Sequence, residues 1–101
     1  MERIFAVGDI HGCFDKLSIL MDRIHADLDE DRLVFVGDYI DRGPNSKEVV
    51  DYLIDLKSKT DRVIFLKGNH EEMLERYLEG NDTMMFLDNG GEATVRSYTR
   101  Q

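Results

Sequence analysis

Short apolar runs and amphipathic stretches alternate along this chain. Ile4 to Val7 (IFAV), Leu33 to Val36 (LVFV) and Val63 to Leu66 (VIFL) are rich in the β-branched and aromatic residues that suit buried strands. After the first run, Leu17, Leu20, Met21 and Ile24 recur at i, i+3, i+4 and i+7, one face of a helix. After the second, Asn45 stands as an N-cap with Glu48 at capping-box spacing, and Val49, Val50, Leu53, Ile54 and Leu56 form the apolar stripe. After the third come Met73, Leu74, Tyr77 and Leu78, with Gly80 placed to end the helix in a left-handed cap. Strand then helix, three times over, predicts an α/β fold of parallel βαβαβα type with right-handed crossovers. Beyond Asn81 the pattern weakens. Met84 to Leu87 reads as a short apolar turn or helix, Asp88 to Gly91 (DNGG) as a loop, and Glu92 to Tyr98 as a helix. No Pro- or Ser-rich linker interrupts residues 1–101, which read as one domain unit.

The strand exits are near-copies of one another. VGDIHG, VGDYIDRG and KGNHEE each place Gly-Asp or Gly-Asn directly after an apolar run. In a parallel sheet the carboxyl ends of the strands share one edge, so Asp9, Asp38 and Asn69 are expected to converge there, with glycines permitting close backbone approach.

Composition narrows what such an edge can serve. Twenty-one acids against 13 basic residues give a formal net charge of −8, which argues against a nucleic-acid or anionic-membrane surface held by bulk charge. No secretory leader pattern opens the chain and no apolar run approaches a membrane span, so a soluble cytoplasmic protein is expected. The single cysteine, Cys13, excludes an internal disulfide and a cysteine-rich zinc knuckle.

Asp9, His11, Asp38 and Asn69 offer two carboxylates, an imidazole and an amide oxygen, a donor set suited to manganese, iron or magnesium. Asp38 on the middle exit has two oxygens with which to bridge two ions, and the ions would supply the positive charge that an acidic protein needs to bind phosphate. Arg42 then serves as a planar fork for phosphate oxygens. His70 is placed to protonate the departing oxygen as general acid, with Asp41 orienting its ring. A lone Asp-Arg-Gly is ordinary turn chemistry; three aligned exits are what raise the set above that. Elsewhere the plain readings prevail: His25 as a solvated helix residue, Cys13 as a partly buried residue at a loop–helix junction rather than a nucleophile, Met84 and Met85 as core filler or contact surface, and DNGG as a simple turn. Glu71 stands between a supporting role at the site and an ordinary acid in the first turn of a helix.

With these residues assembled, GDIHG (Gly8 to Gly12), GDYIDRG (Gly37 to Gly43) and GNHE (Gly68 to Glu71) resemble the metallophosphoesterase superfamily, in particular its phosphoprotein phosphatase branch of bacterial and phage type. The resemblance implies a calcineurin-like sandwich of which this chain supplies the N-terminal half, a dinuclear centre of divalent ions (manganese, with iron, magnesium or zinc admissible), and attack by a metal-bound hydroxide. It implies that Asp9 and His11 hold the first ion, Asp38 bridges and Asn69 holds the second, with His70, Asp41 and Arg42 as acid, partner and phosphate clamp. The intact Asp-Arg-Gly leans towards serine/threonine protein phosphatase activity. The alternatives are a symmetrical dinucleoside tetraphosphate hydrolase, or a non-catalytic metal-binding or interaction fragment. Family members carry two further histidine ligands and a second arginine later in the chain, whereas no histidine follows His70 here. The chain therefore reads as part of a longer domain, weakly active or inactive alone, with apolar surface that the remainder would cover or that supports self-association. The expected substrate is a phosphorylated protein or a small phosphate ester.

Overall fold

A computed structural model describes residues 2–100. The order of elements is β1 (Ile4–Val7), α1 (Phe14–Ile24), β2 (Arg32–Phe35), α2 (Ser46–Lys59), β3 (Val63–Phe65), α3 (Asn69–Leu78), α4 (Thr83–Phe86) and α5 (Glu92–Thr99). The strands form one parallel sheet in the order β1-β2-β3. Ile4 pairs with Arg32 and Val7 with Phe35 on one side of β2, and Leu33 pairs with Val63 and Phe35 with Phe65 on the other.

Strand alternation divides the apolar residues between two faces. Phe5, Val7, Leu33, Phe35 and Val63 point to the side covered by α1 and α2, where Leu17, Val49, Leu53 and Leu56 complete the core. Two crossovers of the same hand, in a sheet whose spatial order follows chain order, lay both helices on that one face. Phe35 is fully buried at its centre, a burial that contributes roughly 1.5–3 kcal/mol. The opposite face presents Ile4, Val36, Ile64 and Leu66, between 40% and 66% exposed. This is the open apolar surface expected from the sequence.

Helix ends follow their local chemistry. Gly80, at φ +85°, terminates α3. Its N–H donates to the Tyr77 carbonyl at 3.0 Å and the Asn81 N–H donates to that of Arg76 at 2.8 Å, the paired bonds of a Schellman ending. Asn45 does precede α2, yet its side chain caps no backbone N–H; its amide donates instead to Glu48 at 3.3 Å. His25 lies one residue past α1 in the left-handed region and ends that helix. Among the described residues no helix is long and apolar enough to cross a membrane.

Candidate functional site

The loops leaving the three strands are sewn together by backbone hydrogen bonds. The Ile10 and His11 N–H groups donate to the Asp38 carbonyl at 3.1 and 2.9 Å, Gly12 donates to Tyr39 at 2.8 Å, and Gly43 donates back to His11 at 2.9 Å. The third exit joins through Glu71. Its Oε1 accepts from the Asp38 N–H at 2.7 Å and the Gly68 N–H at 2.9 Å, and its Oε2 accepts from the Tyr39 N–H at 2.9 Å. The Gly68 bond is half of a capping box at the start of α3; the other two tie that helix to the loop after β2. Glu71, undecided in the sequence, is thus a fastener between two exits. Gly37 shows why this junction excludes side chains: its φ is +112°, and a Cβ there would stand 2.5 Å from the Gly68 nitrogen.

This close weave carries unusual backbone. His11, Asp38, Asp41 and Arg42 all have positive φ, between 45° and 76°. Such conformations cost free energy for non-glycine residues and persist only where the surroundings over-determine them.

Asp9, His11 and Asp38 each bring one ligand atom within 4.8 Å of the others. The His11 Nδ1–H donates to the Ile40 carbonyl at 2.9 Å, which leaves the Nε2 lone pair free, 3.9 Å from Asp9 Oδ2. Two carboxylates and an imidazole held in that tautomer fit a hard or borderline divalent cation. Asn69 opens α3 at an exposed position, and the adjoining His70 N–H donates to Asp38 Oδ1 at 3.0 Å. A cavity of about 350 Å³ adjoins Asp9 and His11 and is also lined by Cys13 and Lys16.

Beside these donors lies a buried pair. His70 Nδ1 is 2.8 Å from Asp41 Oδ2, with the residues 6% and 0% exposed. A carboxylate only accepts, so Nδ1 carries the proton shared in this bond. The His11 and His70 rings meet edge to face with centroids 4.6 Å apart. The other Asp41 oxygen accepts from the Thr94 hydroxyl at 2.6 Å, and the Asp41 N–H donates to Thr94 Oγ1 at 2.8 Å and Ser46 Oγ at 3.1 Å.

Arg42 is exposed, and among the described residues its guanidinium has no partner. Its backbone N–H donates to the Gly90 carbonyl at 2.9 Å. The DNGG stretch does bend the chain, through Asn89 (φ −93°, ψ 20°) and Gly90 (φ 104°, ψ 0°), but inside a kinked helical path linking α4 to α5. It is more than the simple turn expected, since it steadies the backbone of Arg42. Cys13 is partly buried at the start of α1, its thiol 3.6 Å from the His11 carbonyl, as foreseen. Of the paired methionines, Met84 and Met85 are 64% and 53% exposed and fill no core; Phe86 beside them is buried.

Thr94 and Ser46 went unnoticed in the sequence, and Gly90 was read only as part of a simple turn. One signal was present: Gly91, Thr94 and Ser97 recur at i, i+3 and i+6 on the buried side of α5, a stripe too small and polar for ordinary core.

The chain matches the family model of calcineurin-like phosphoesterases over residues 2–97. It is 34% identical to the symmetrical bis(5'-nucleosyl)-tetraphosphatase of Pseudomonas fluorescens, in an alignment covering 96% of this chain and 36% of that one. It is 41% identical to the asymmetrical bis(5'-nucleosyl)-tetraphosphatase PrpE of Bacillus velezensis, over 74% of this chain and 33% of that one. A crystal structure described as a candidate diadenosine tetraphosphatase superposes with a TM-score of 0.67 at 34% identity, covering 76% of this chain and 32% of the other. The chain thus spans about a third of the length of these relatives. Their names do not support the inclination towards protein phosphatases that Asp-Arg-Gly suggested. A family model that runs along nearly the whole sequence, and a fold that superposes on that of a solved relative, together establish that this chain belongs to the calcineurin-like phosphoesterase family.

Proposed function

We propose that this chain forms the phosphate-reacting part of a metal-dependent hydrolase of dinucleoside tetraphosphates, with Asp9, His11, Asp38 and Asn69 holding divalent ions. The observation that carries the proposal is the placement of three convergent ligand atoms next to a buried histidine–aspartate pair. The tetraphosphatase names of the relatives support the substrate. A bound divalent cation supplies Lewis-acid polarisation of the phosphate and lowers the pKa of water.

The remaining roles belong to side chains. Arg42, exposed and uncommitted, clamps phosphate oxygens in a bidentate fork and offsets the negative charge of the protein where substrate enters. Asp41 holds His70 through Nδ1, so Nε2 faces outward to deliver a proton. Water adds to one phosphorus and gives up a proton to solvent, the bridging P–O bond breaks, the His70 Nε2 proton goes to the departing oxygen, and His70 regains a proton from solvent. A symmetrical cut of diadenosine tetraphosphate then gives two ADP, and an asymmetrical cut gives ATP and AMP. The cavity lined by Cys13 and Lys16 leaves room for the rest of the substrate beside the ligands.

The test is to incubate the purified chain with diadenosine tetraphosphate or a phosphoserine peptide, with manganese or with a chelator, and to resolve the products by anion-exchange chromatography. Manganese-dependent ADP, or ATP plus AMP, absent with His70→Gln and exceeding phosphate release from the peptide, is the expected result. Faster release from the peptide, or nucleotide products formed equally with the chelator, overturns it.

A further inference from the structure

Asp41 is the most deeply buried charged group of the site, at 0% exposure, and its two oxygens have different partners. Oδ2 meets His70 at 2.8 Å, and Oδ1 meets the Thr94 hydroxyl at 2.6 Å. Thr94 has one hydroxyl proton, and the carboxylate takes it. The 3.0 Å contact between Thr94 and Ser46 must therefore run with Ser46 as donor. Ser46 and Thr94 are themselves 0% and 4% exposed. With Asp41 N–H also donating to both hydroxyls, the three groups close a ring that meets the carboxylate through Oδ1, the oxygen that His70 leaves untouched.

A carboxyl group rotates about its last torsion over a broad range unless both oxygens are engaged. Here one oxygen is fixed from α5, 53 residues along the chain, and that fixes where the other points. We propose that Thr94 is a positioning residue: its hydroxyl sets the plane of the Asp41 carboxylate, so that His70 is held by Nδ1 with Nε2 directed outward. Ser46 completes the device by orienting the Thr94 hydroxyl. This rests on the reading of His70 as proton donor, and extends it to a residue outside the three strand exits.

The decisive measurement needs no turnover. In chain labelled with 15N-histidine, at one fixed pH, the His70 Nδ1–H gives a proton signal whose exchange with water reports the bond to Asp41. Thr94→Val is expected to speed that exchange by about tenfold or more, the size of a lost charge-assisted bond. Thr94→Ser, which restores the hydroxyl, is expected to return it to within about twofold of wild type. The backbone amide spectrum of β2 and α3 should stay in place in both, which a role in packing alone would not predict. Should Thr94→Val not fold, Thr94→Ala removes the same hydroxyl with less steric disturbance and is read in its stead. Unchanged exchange in the hydroxyl-less variant, or failure of Thr94→Ser to restore it, overturns the proposal.

A second arm compares aryl phosphates in the manganese-loaded chain. Thr94→Val should depress turnover of phenyl phosphate, a poor leaving group that needs the proton, about tenfold more than that of p-nitrophenyl phosphate; equal losses would count against positioning. If His70→Gln leaves turnover intact, the reading of His70 as acid falls, while the imidazole signal still judges Thr94 independently.

Discussion

Glu71 offers the sharpest quantitative test of how the site is held. Its carboxylate accepts three backbone N–H groups, from Asp38, Tyr39 and Gly68, at 2.7 to 2.9 Å. Glu71→Gln changes almost no volume but leaves a single acceptor oxygen. That oxygen can keep both Asp38 and Gly68, while the new amide then meets the Tyr39 N–H donor to donor. Turning the amide over is worse, because two donors are then confronted. The minimum loss is one charge-assisted hydrogen bond, about 1.5–3 kcal/mol, trimmed by water reaching a half-buried position, for a net of about 2 kcal/mol. Small domains are stable by roughly 5–15 kcal/mol, so this is a sizeable fraction. It corresponds to a fall of roughly 8–16 °C in Tm. Glu71→Ala removes all three acceptors, yet relaxation and hydration keep the total near 3–4 kcal/mol rather than three times the single loss. Urea unfolding followed by circular dichroism at 222 nm reads both variants. A loss under about 0.5 kcal/mol for Glu71→Gln would mean that Glu71 is a solvated acid in the first turn of α3 and that the exits are held by other contacts.

Metal binding should register in stability: manganese at a hundredfold excess over its Kd should add about 2.7 kcal/mol, EDTA should remove that gain, and Asp38→Asn should never show it. An equal rise in Tm for the variant would place the ion elsewhere. Asp31 is held down to about 2, mainly by its hydrogen bond from Arg3 and further by the Asp27 N–H. A folded-state value below the unfolded one means that its contribution is complete above about pH 4 and drains away as pH falls from there towards 2. Urea midpoints measured across that window should slope for wild type and flatten for Asp31→Asn; identical slopes would remove Asp31 from the acid response. Phe86 is fully buried, with its ring centroid 4.8 Å from that of Tyr77. Phe86→Ala should therefore cost about 3–5 kcal/mol by thermal unfolding, and a loss below about 1 kcal/mol would show that α4 is not anchored there.

Much of this arrangement is legible from short contiguous stretches. β1 falls on Ile4 to Val7 as the apolar run predicts, since all four residues are in the ladder. β2 begins one residue earlier than its run, at Arg32, because the Arg32 N–H donates to the Arg3 carbonyl at 2.8 Å and side-chain hydrophobicity carries no record of that bond. β3 stops at Phe65 although the apolar run continues to Leu66. The three exits could be read because each keeps its polar residues within a few positions of a strand. Thr94 could not, because its partner is remote in sequence and a threonine in a short helix has many ordinary uses. Gly90 was read as part of a turn, but its contact with Arg42 runs through its carbonyl, a group every residue possesses.

The sheet order β1-β2-β3 repeats the order of the chain, and this divides the site by sequence. Asp9 and His11 come first, then Asp38 and Asp41, then Asn69 and His70, each pair following the next strand in the sheet. The hydroxyl that meets Asp41 comes last, on α5. A chain cut before that helix would keep every proposed cation ligand and lose the contact that fixes the Asp41 carboxylate. Cation-binding edge and support of the acid are therefore separable along the sequence, with Thr94 24 residues beyond His70.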